Sequence, residues 1–127
     1  MWILLVILAR SGYWAPVVQQ ADQCADTSST TRSMETCAQK ELAELSDTLA
    51  RVEATIEKVH GPTGLAGLRS AASSWRSYRD LQCEWVYQSY DGGSMRGLAA
   101  IDCEIRLTRE RIAFLRTVEF SGEGQRR

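Results

Sequence analysis

The sequence contains one histidine, two prolines and no Cys-x-x-Cys pair, and each scarcity removes a class of chemistry. A single imidazole, His60, cannot build a His-rich metal site; beside Gly61-Pro62 it reads as a ring complementing the end of a helix. Cys24, Cys37, Cys83 and Cys103 are separated by 12, 45 and 19 residues, a pattern that suits neither a zinc site nor a thioredoxin-type redox pair. Gly-x-Ser-x-Gly, His-Glu-x-x-His and phosphate-loop patterns are missing. The carboxylates are spread over helix surfaces, as on a solvated face, so paired-acid hydrolysis has little support. These absences predict a protein that is not an enzyme and needs no cofactor or metal.

An excess of one charge is also lacking. Fifteen Lys and Arg against sixteen Asp and Glu leave −1, which provides no field for nucleic acid or for an anionic membrane surface. The longest apolar run, residues 2–9 (WILLVILA), has eight residues where a spanning helix needs about 20. No stable membrane span is expected. Residues 1–18 fit a signal peptide or apolar leader, although no Lys or Arg precedes the run. Cys24 follows Ala21-Asp22-Gln23 rather than small apolar residues, which disfavours lipid attachment.

What remains is one domain's worth of chain: 127 residues, 44% hydrophobic and 24% charged, outside the range of disordered compositions. Residues 19–33 are small and polar, an exposed lead-in. Ala38, Leu42, Leu45, Leu49, Val52, Ile56 and Val59 then recur at steps of four and three, which predicts a helix over 31–60 with one apolar stripe. Its polar face carries Glu35, Glu41, Glu44, Asp47, Glu53 and Glu57 against Lys40, Arg51 and Lys58, a net of −3. Gly61-Pro62 is expected to end it.

A second helix is predicted over 65–90, with Leu65, Leu68, Ala72, Trp75, Arg79 or Tyr78, Gln82 or Cys83, and Val86 facing inward. Asp91-Gly92-Gly93-Ser94 breaks it, the paired glycines permitting positive φ and Ser94 serving as an N-cap. A third helix over 95–118 aligns Leu98, Ile101, Ile105, Thr108, Ile112 and Leu115. Three such stripes cannot be hidden separately, so the expected fold is all-α: a small antiparallel three-helix bundle over 19–118, with 119–127 a disordered tail. The strict heptad spacing of the first stripe makes a coiled coil the main alternative.

The bundle selects a cysteine pairing. Cys83 late in the second helix and Cys103 early in the third lie at similar distances from the turn, so an antiparallel pair sets them side by side; Cys24 and Cys37 are left to tie the lead-in to the first helix. Two disulfides imply an oxidising, periplasmic or secreted setting. In the same region Trp75, Tyr78 or Arg79, and Cys83 share a face, which reads as packing. Trp85 and Tyr87 nearby are candidates for contact with a partner, because aromatics dominate interface energetics.

Thr30 with Met34-Glu35-Thr36-Cys37, then Trp75-x-x-Tyr78-Arg79-Asp80-x-x-Cys83, then Gly92-Gly93-Ser94, then Cys103-x-x-x-x-Thr108-x-x-Arg111-x-x-x-Leu115 resembles the LprI-type lysozyme-inhibitor domain family over about residues 24–116. In one departure, Asp47 is followed by Leu49-Ala50 where the family carries Leu-Asn. The motif residues Met34, Trp75, Tyr78, Arg79, Asp80, Gly92, Gly93, Ser94, Thr108 and Arg111 read as structural. The resemblance implies a secreted or periplasmic binding protein, with lysozyme as the candidate partner. Lysozymes are generally basic, so Glu41, Glu44 and Asp47 are the candidate contacts on the acidic first helix. The alternative is a cell-envelope accessory or structural interaction module without inhibitory activity; a hydrolase would require two converging carboxylates in a cleft. The oligomeric state is left open at this stage.

Overall fold

The computed structural model describes residues 30–124, in which all regular structure is helical. Helix α1 spans Thr31–Ser89 and helix α2 spans Arg96–Gly124. Thr30 caps α1: its Oγ1 accepts from the Ser33 amide at 3.2 Å, while Ser33 Oγ accepts from the Thr30 amide at 3.2 Å, a reciprocal capping box. The predicted start at Thr31 therefore has a side-chain cause.

The expected stop at Gly61-Pro62 is not one. The backbone remains helical through residues 31–89, yet α1 is folded back on itself. Arg69 Nε reaches Glu57 Oε1 at 3.4 Å and Arg76 Nη2 reaches Glu53 Oε2 at 2.8 Å. In a straight helix those pairs would lie about 18 Å and about 35 Å apart. The chain thus reverses between residues 57 and 69, forming a first limb (31–60) and a second limb (64–89). Proline is tolerated in the first turn of a helical segment, where its missing amide would have no intrahelical acceptor, so Gly61-Pro62 redirects the helix without ending it. Gly64 is constrained there, since a Cβ would come within 2.9 Å of His60 Cβ.

The second turn occupies residues 90–95. The Gly93 amide donates to Tyr90 O at 2.8 Å and the Arg96 amide to Gly93 O at 3.2 Å. Positive φ falls on Asp91 (36°) and Gly92 (76°), not on the two glycines as expected. Aspartate is among the few side chains that tolerate this region. Space is tight at Gly93, where a Cβ would lie 3.2 Å from Tyr90 O. Helix α2 continues to Gly124, beyond the end expected near residue 118.

The two reversals make three packed limbs, as the stripes require. The second limb runs antiparallel to both others. The first limb and α2 run parallel, with Glu35 beside Gly97 and Glu41 bound to Arg109 further along both. Ala38, Leu45, Leu49, Val52 and Ile56 pack with Ile105, Ile112 and Leu115; Leu42, Leu68, Leu98 and Ile101 close the edges. A smaller cluster contains Cys83, Cys103 and Leu107, flanked by Val86. Arg79 and Cys83, rather than Tyr78 and Gln82, take the inner positions of the second limb.

Cys83 and Cys103 are bonded, with Cα atoms 5.6 Å apart. Only this one of the two expected disulfides is described in full. Cys37 is itself disulfide-bonded, and Cys24 lies outside the described residues, as do the leader 1–18 and the lead-in 19–29.

The bridge joins residues 20 apart, a loop whose closure is worth about 3 kcal/mol in the chain-entropy account. Replacing Cys83 and Cys103 together by alanine should lower unfolding free energy in urea by about that amount while preserving helical circular dichroism. An unchanged urea midpoint would show that the bridge contributes no net stability.

Candidate protein-binding site

A groove of about 610 Å³ lies between the first limb and α2. Its floor is Leu45, Ile112 and Ala113, where the edge of the core shared by the first limb and α2 reaches the surface. Glu41, Glu44 and Asp47 stand on one wall, with Arg51 a turn further along; Arg109 and Arg116 stand on the other. The predicted acidic contacts therefore do line one feature, but their states differ. Glu41 is partly buried and bonded to Arg109 Nη2, so it is committed within the chain. Glu44 and Asp47 are exposed, and neither forms an ion pair among the described residues.

The net −3 of the first limb does not survive packing. Glu53 is buried and paired with Arg76, Glu57 is paired with Arg69, and Glu41 with Arg109. Every one of these arginines comes from another limb. The groove itself carries three acids and three arginines, so its pattern is bipolar rather than acidic. The buried Glu53–Arg76 pair escaped sequence reasoning, because its partners are 23 residues apart and meet only once α1 reverses.

The structure brings two of the sequence motifs together in the interior. Trp75 is covered by two guanidinium groups, Arg79 at 5.3 Å and Arg111 at 5.8 Å from the ring centre, a cation–π arrangement. Arg111 also approaches Phe114 at 5.9 Å, and Arg79 donates to Asp80 Oδ1 through Nε at 3.0 Å and Nη2 at 2.8 Å. Thr108 is completely buried, and its hydroxyl has no hydrogen-bond partner among the described residues. Met34 is half-buried at the start of α1 and Ser94 is exposed in the turn. Tyr78, by contrast, points away from the interior and is 53% exposed.

The aromatic candidates separate. Trp85 is 63% exposed, whereas Tyr87 is half-buried beneath the Arg96 guanidinium, 4.7 Å from its ring centre. Two residues along a helix turn the side chain by about 200°. Trp85 and Tyr87 thus cannot form one patch; the exposed neighbours of Trp85 are Leu81 and Tyr78. Among the described residues no group of three metal-binding side chains occurs, and no helix is long and apolar enough to cross a membrane.

Two carboxyls on α2 sit in unfavourable surroundings. Burial pushes Asp102 above its ordinary 3.8, against the opposing pull of Arg109. Burial likewise pushes Glu104 above its ordinary 4.5, with Arg79 opposing and Asp80 adding to the rise.

These features define a disulfide-braced helical bundle in which three of the described ion pairs join one limb to another and a groove lies between the first limb and α2. The profile of the family Lysozyme inhibitor LprI matches residues 22–115, and the chain belongs to that family. The assignment rests on the span that holds all four sequence motifs. An uncharacterized protein of Rhizobium meliloti (strain 1021) is 39% identical over 59 residues, which cover 46% of this chain and 42% of that protein. The chain therefore aligns with less than half the length of this curated relative. No solved structure matches significantly.

Two expectations follow from the side chains of α2. Thr108→Val removes a buried hydroxyl without a partner while keeping its volume, so thermal unfolding should show no loss and up to about 1 kcal/mol of gain. A loss of several kcal/mol would mean that the hydroxyl has a partner. For Asp102 and Glu104 the folded-state values lie above the unfolded ones, so the folded chain binds protons more readily and loses stability as pH rises through the folded values. Asp102→Asn combined with Glu104→Gln should raise Tm at pH 7, and the difference should shrink as pH falls through the raised values toward 3.8 and 4.5. A gain that persisted undiminished in acid would contradict burial as the cause.

Proposed function

We propose that this protein is a periplasmic or secreted inhibitor of lysozyme that acts by direct contact through the groove between the first limb and α2. The observation that carries this reading is a pair of exposed carboxylates, Glu44 and Asp47, without an ion pair among the described residues, standing over the apolar floor of Leu45, Ile112 and Ala113 in a member of the LprI family. An apolar floor supplies affinity, whereas rim carboxylates direct a basic partner's lysine or arginine side chains and set its register. Arg116 on the opposite wall gives the groove a polarity, so a partner must present charge of both signs. A disulfide between Cys83 and Cys103 is consistent with an oxidising compartment.

A second reading is favoured by Tyr78, Leu81 and Trp85, which are exposed on the second limb, away from the groove. They suit an envelope-accessory module that docks on other proteins without inhibiting an enzyme.

Lysis of bacterial cell walls by lysozyme separates the two. The purified chain should inhibit lysis at micromolar concentration and low salt, less so as salt rises. Glu44→Lys combined with Asp47→Lys should weaken inhibition at least about tenfold, the equivalent of about 1.4 kcal/mol, with Tm unchanged. No inhibition at low salt would overturn the inhibitor reading. Inhibition insensitive to the double reversal would move it away from the groove.

A further inference from the structure

The second limb carries a line of side chains that none of the described residues covers. Gly67, Ala71, Ser74, Tyr78, Leu81 and Trp85 follow one another at steps of four and three, so they lie along one face of the helix. All six are exposed, the three large ones by 53%, 72% and 63%. The line is uncharged in a chain where 24% of residues carry charge. Ala66, Ser70, Ser77 and Gln88, which flank it, are uncharged too, and Glu84 stands at its edge. Arg76, the charged residue at its middle in sequence, points the opposite way and is held by Glu53.

Size is distributed along this line in an ordered way: the first half is Gly, Ala, Ser and the second half Tyr, Leu, Trp. We propose that this face is where two copies of the chain pair, with the second limbs antiparallel about a two-fold axis between Ser74 and Tyr78. That axis sets Trp85 over Gly67, Leu81 over Ala71 and Tyr78 over Ser74 of the second copy, each large side chain opposite a small one. A two-fold contact of one patch with itself is the commonest way chains pair, and it demands this kind of self-complementarity. Small residues under large ones also let helices approach within the usual 8–10 Å. Space exists where the largest side chain must fit, since a Cβ placed on Gly67 meets nothing within 4 Å. A two-fold contact brings like charges face to face, and here the face has none to repel.

The face sets the strength. Eighteen residues of rise give a strip about 27 Å long and about 10 Å wide, well below the roughly 800 Å² per partner of a standard interface. The pair is therefore weak and concentration-dependent. It leaves the groove between the first limb and α2 open on each copy, and it stands or falls independently of lysozyme inhibition.

Sedimentation velocity of the oxidised, purified chain over about 1 µM to 1 mM tests the pairing. The parent should shift from monomer to dimer. Ala71→Leu adds apolar surface but fills the space that Leu81 occupies, and Leu81→Ala removes the knob; each alone should weaken dimerisation at least tenfold, with Tm unchanged. Ala71→Leu and Leu81→Ala together exchange knob and hole and should restore the parental dissociation constant within about threefold. The proposal is overturned by a parent that stays monomeric to 1 mM, as it would if residues 1–29 or another protein occupied this face. Stronger association of Ala71→Leu, the mark of nonspecific adhesion, overturns it as well, and so does a double variant no better than the single ones.

Discussion

Trp75 packs against both buried clusters, the larger one made mainly by the first limb and α2 and the smaller one around Cys83 and Cys103. A large apolar ring at that junction lets one short second limb close two pieces of interior at once. The ring would be partly wet if left alone. Arg79 and Arg111 cover it, and Arg111, reaching over from α2, also ties the second limb to that helix. The positions of Cys83, two turns beyond Trp75, and Thr108, one turn before Arg111, follow from that contact, which is why residues distant in sequence belong to one packed unit.

Electrostatics is subordinate to this packing. Three acids of the first limb find arginines on the other two limbs, one pair across the bend at 23 residues' separation and another from α1 to α2. Exposed pairs of this kind are worth little individually. The Glu53–Arg76 pair is different, because Glu53 is buried and an unpaired charge there would be costly; once the apolar stripes meet, Arg76 has to reach it. Such pairs select the alignment of the limbs more than they add stability. They also consume the acidity of the first limb, leaving Glu44 and Asp47 as its uncommitted carboxylates in the groove.

The stripes were legible because helical periodicity is a local property: Ala38 to Ile56, and Ile105 to Leu115, occupy the core as their spacing requires. The Cys83–Cys103 pairing was legible for a related reason, since a short turn makes antiparallel neighbours of residues equidistant from it. Gly61-Pro62 was misread because a proline that stops one helix and a proline that begins the next have the same sequence signature. The site was less readable than the fold. Charge can be counted along a helix, but which acids are consumed depends on arginines brought from other limbs. Glu41 was lost to Arg109 in this way, and Tyr87 was lost to Arg96 on the face away from Trp85.

A three-limbed bundle has three interior seams and three outer faces, and this chain uses them unequally. The seam between the first limb and α2 joins parallel segments packed through core residues that include Leu45 and Ile112, and a groove opens along its outer edge. The seam between the second limb and α2 is closed by a disulfide and by Arg111 of α2 over Trp75. Closing that seam holds the backbone of the second limb firmly, and a firm backbone is what allows an exposed strip to keep its order of small and large side chains. A mobile limb carrying Tyr78, Leu81 and Trp85 would be merely adhesive, because the register of knobs and holes would average out. Bracing one seam thus makes the outer face of the same limb specific, and it leaves the groove on the other side of the bundle free for a different contact.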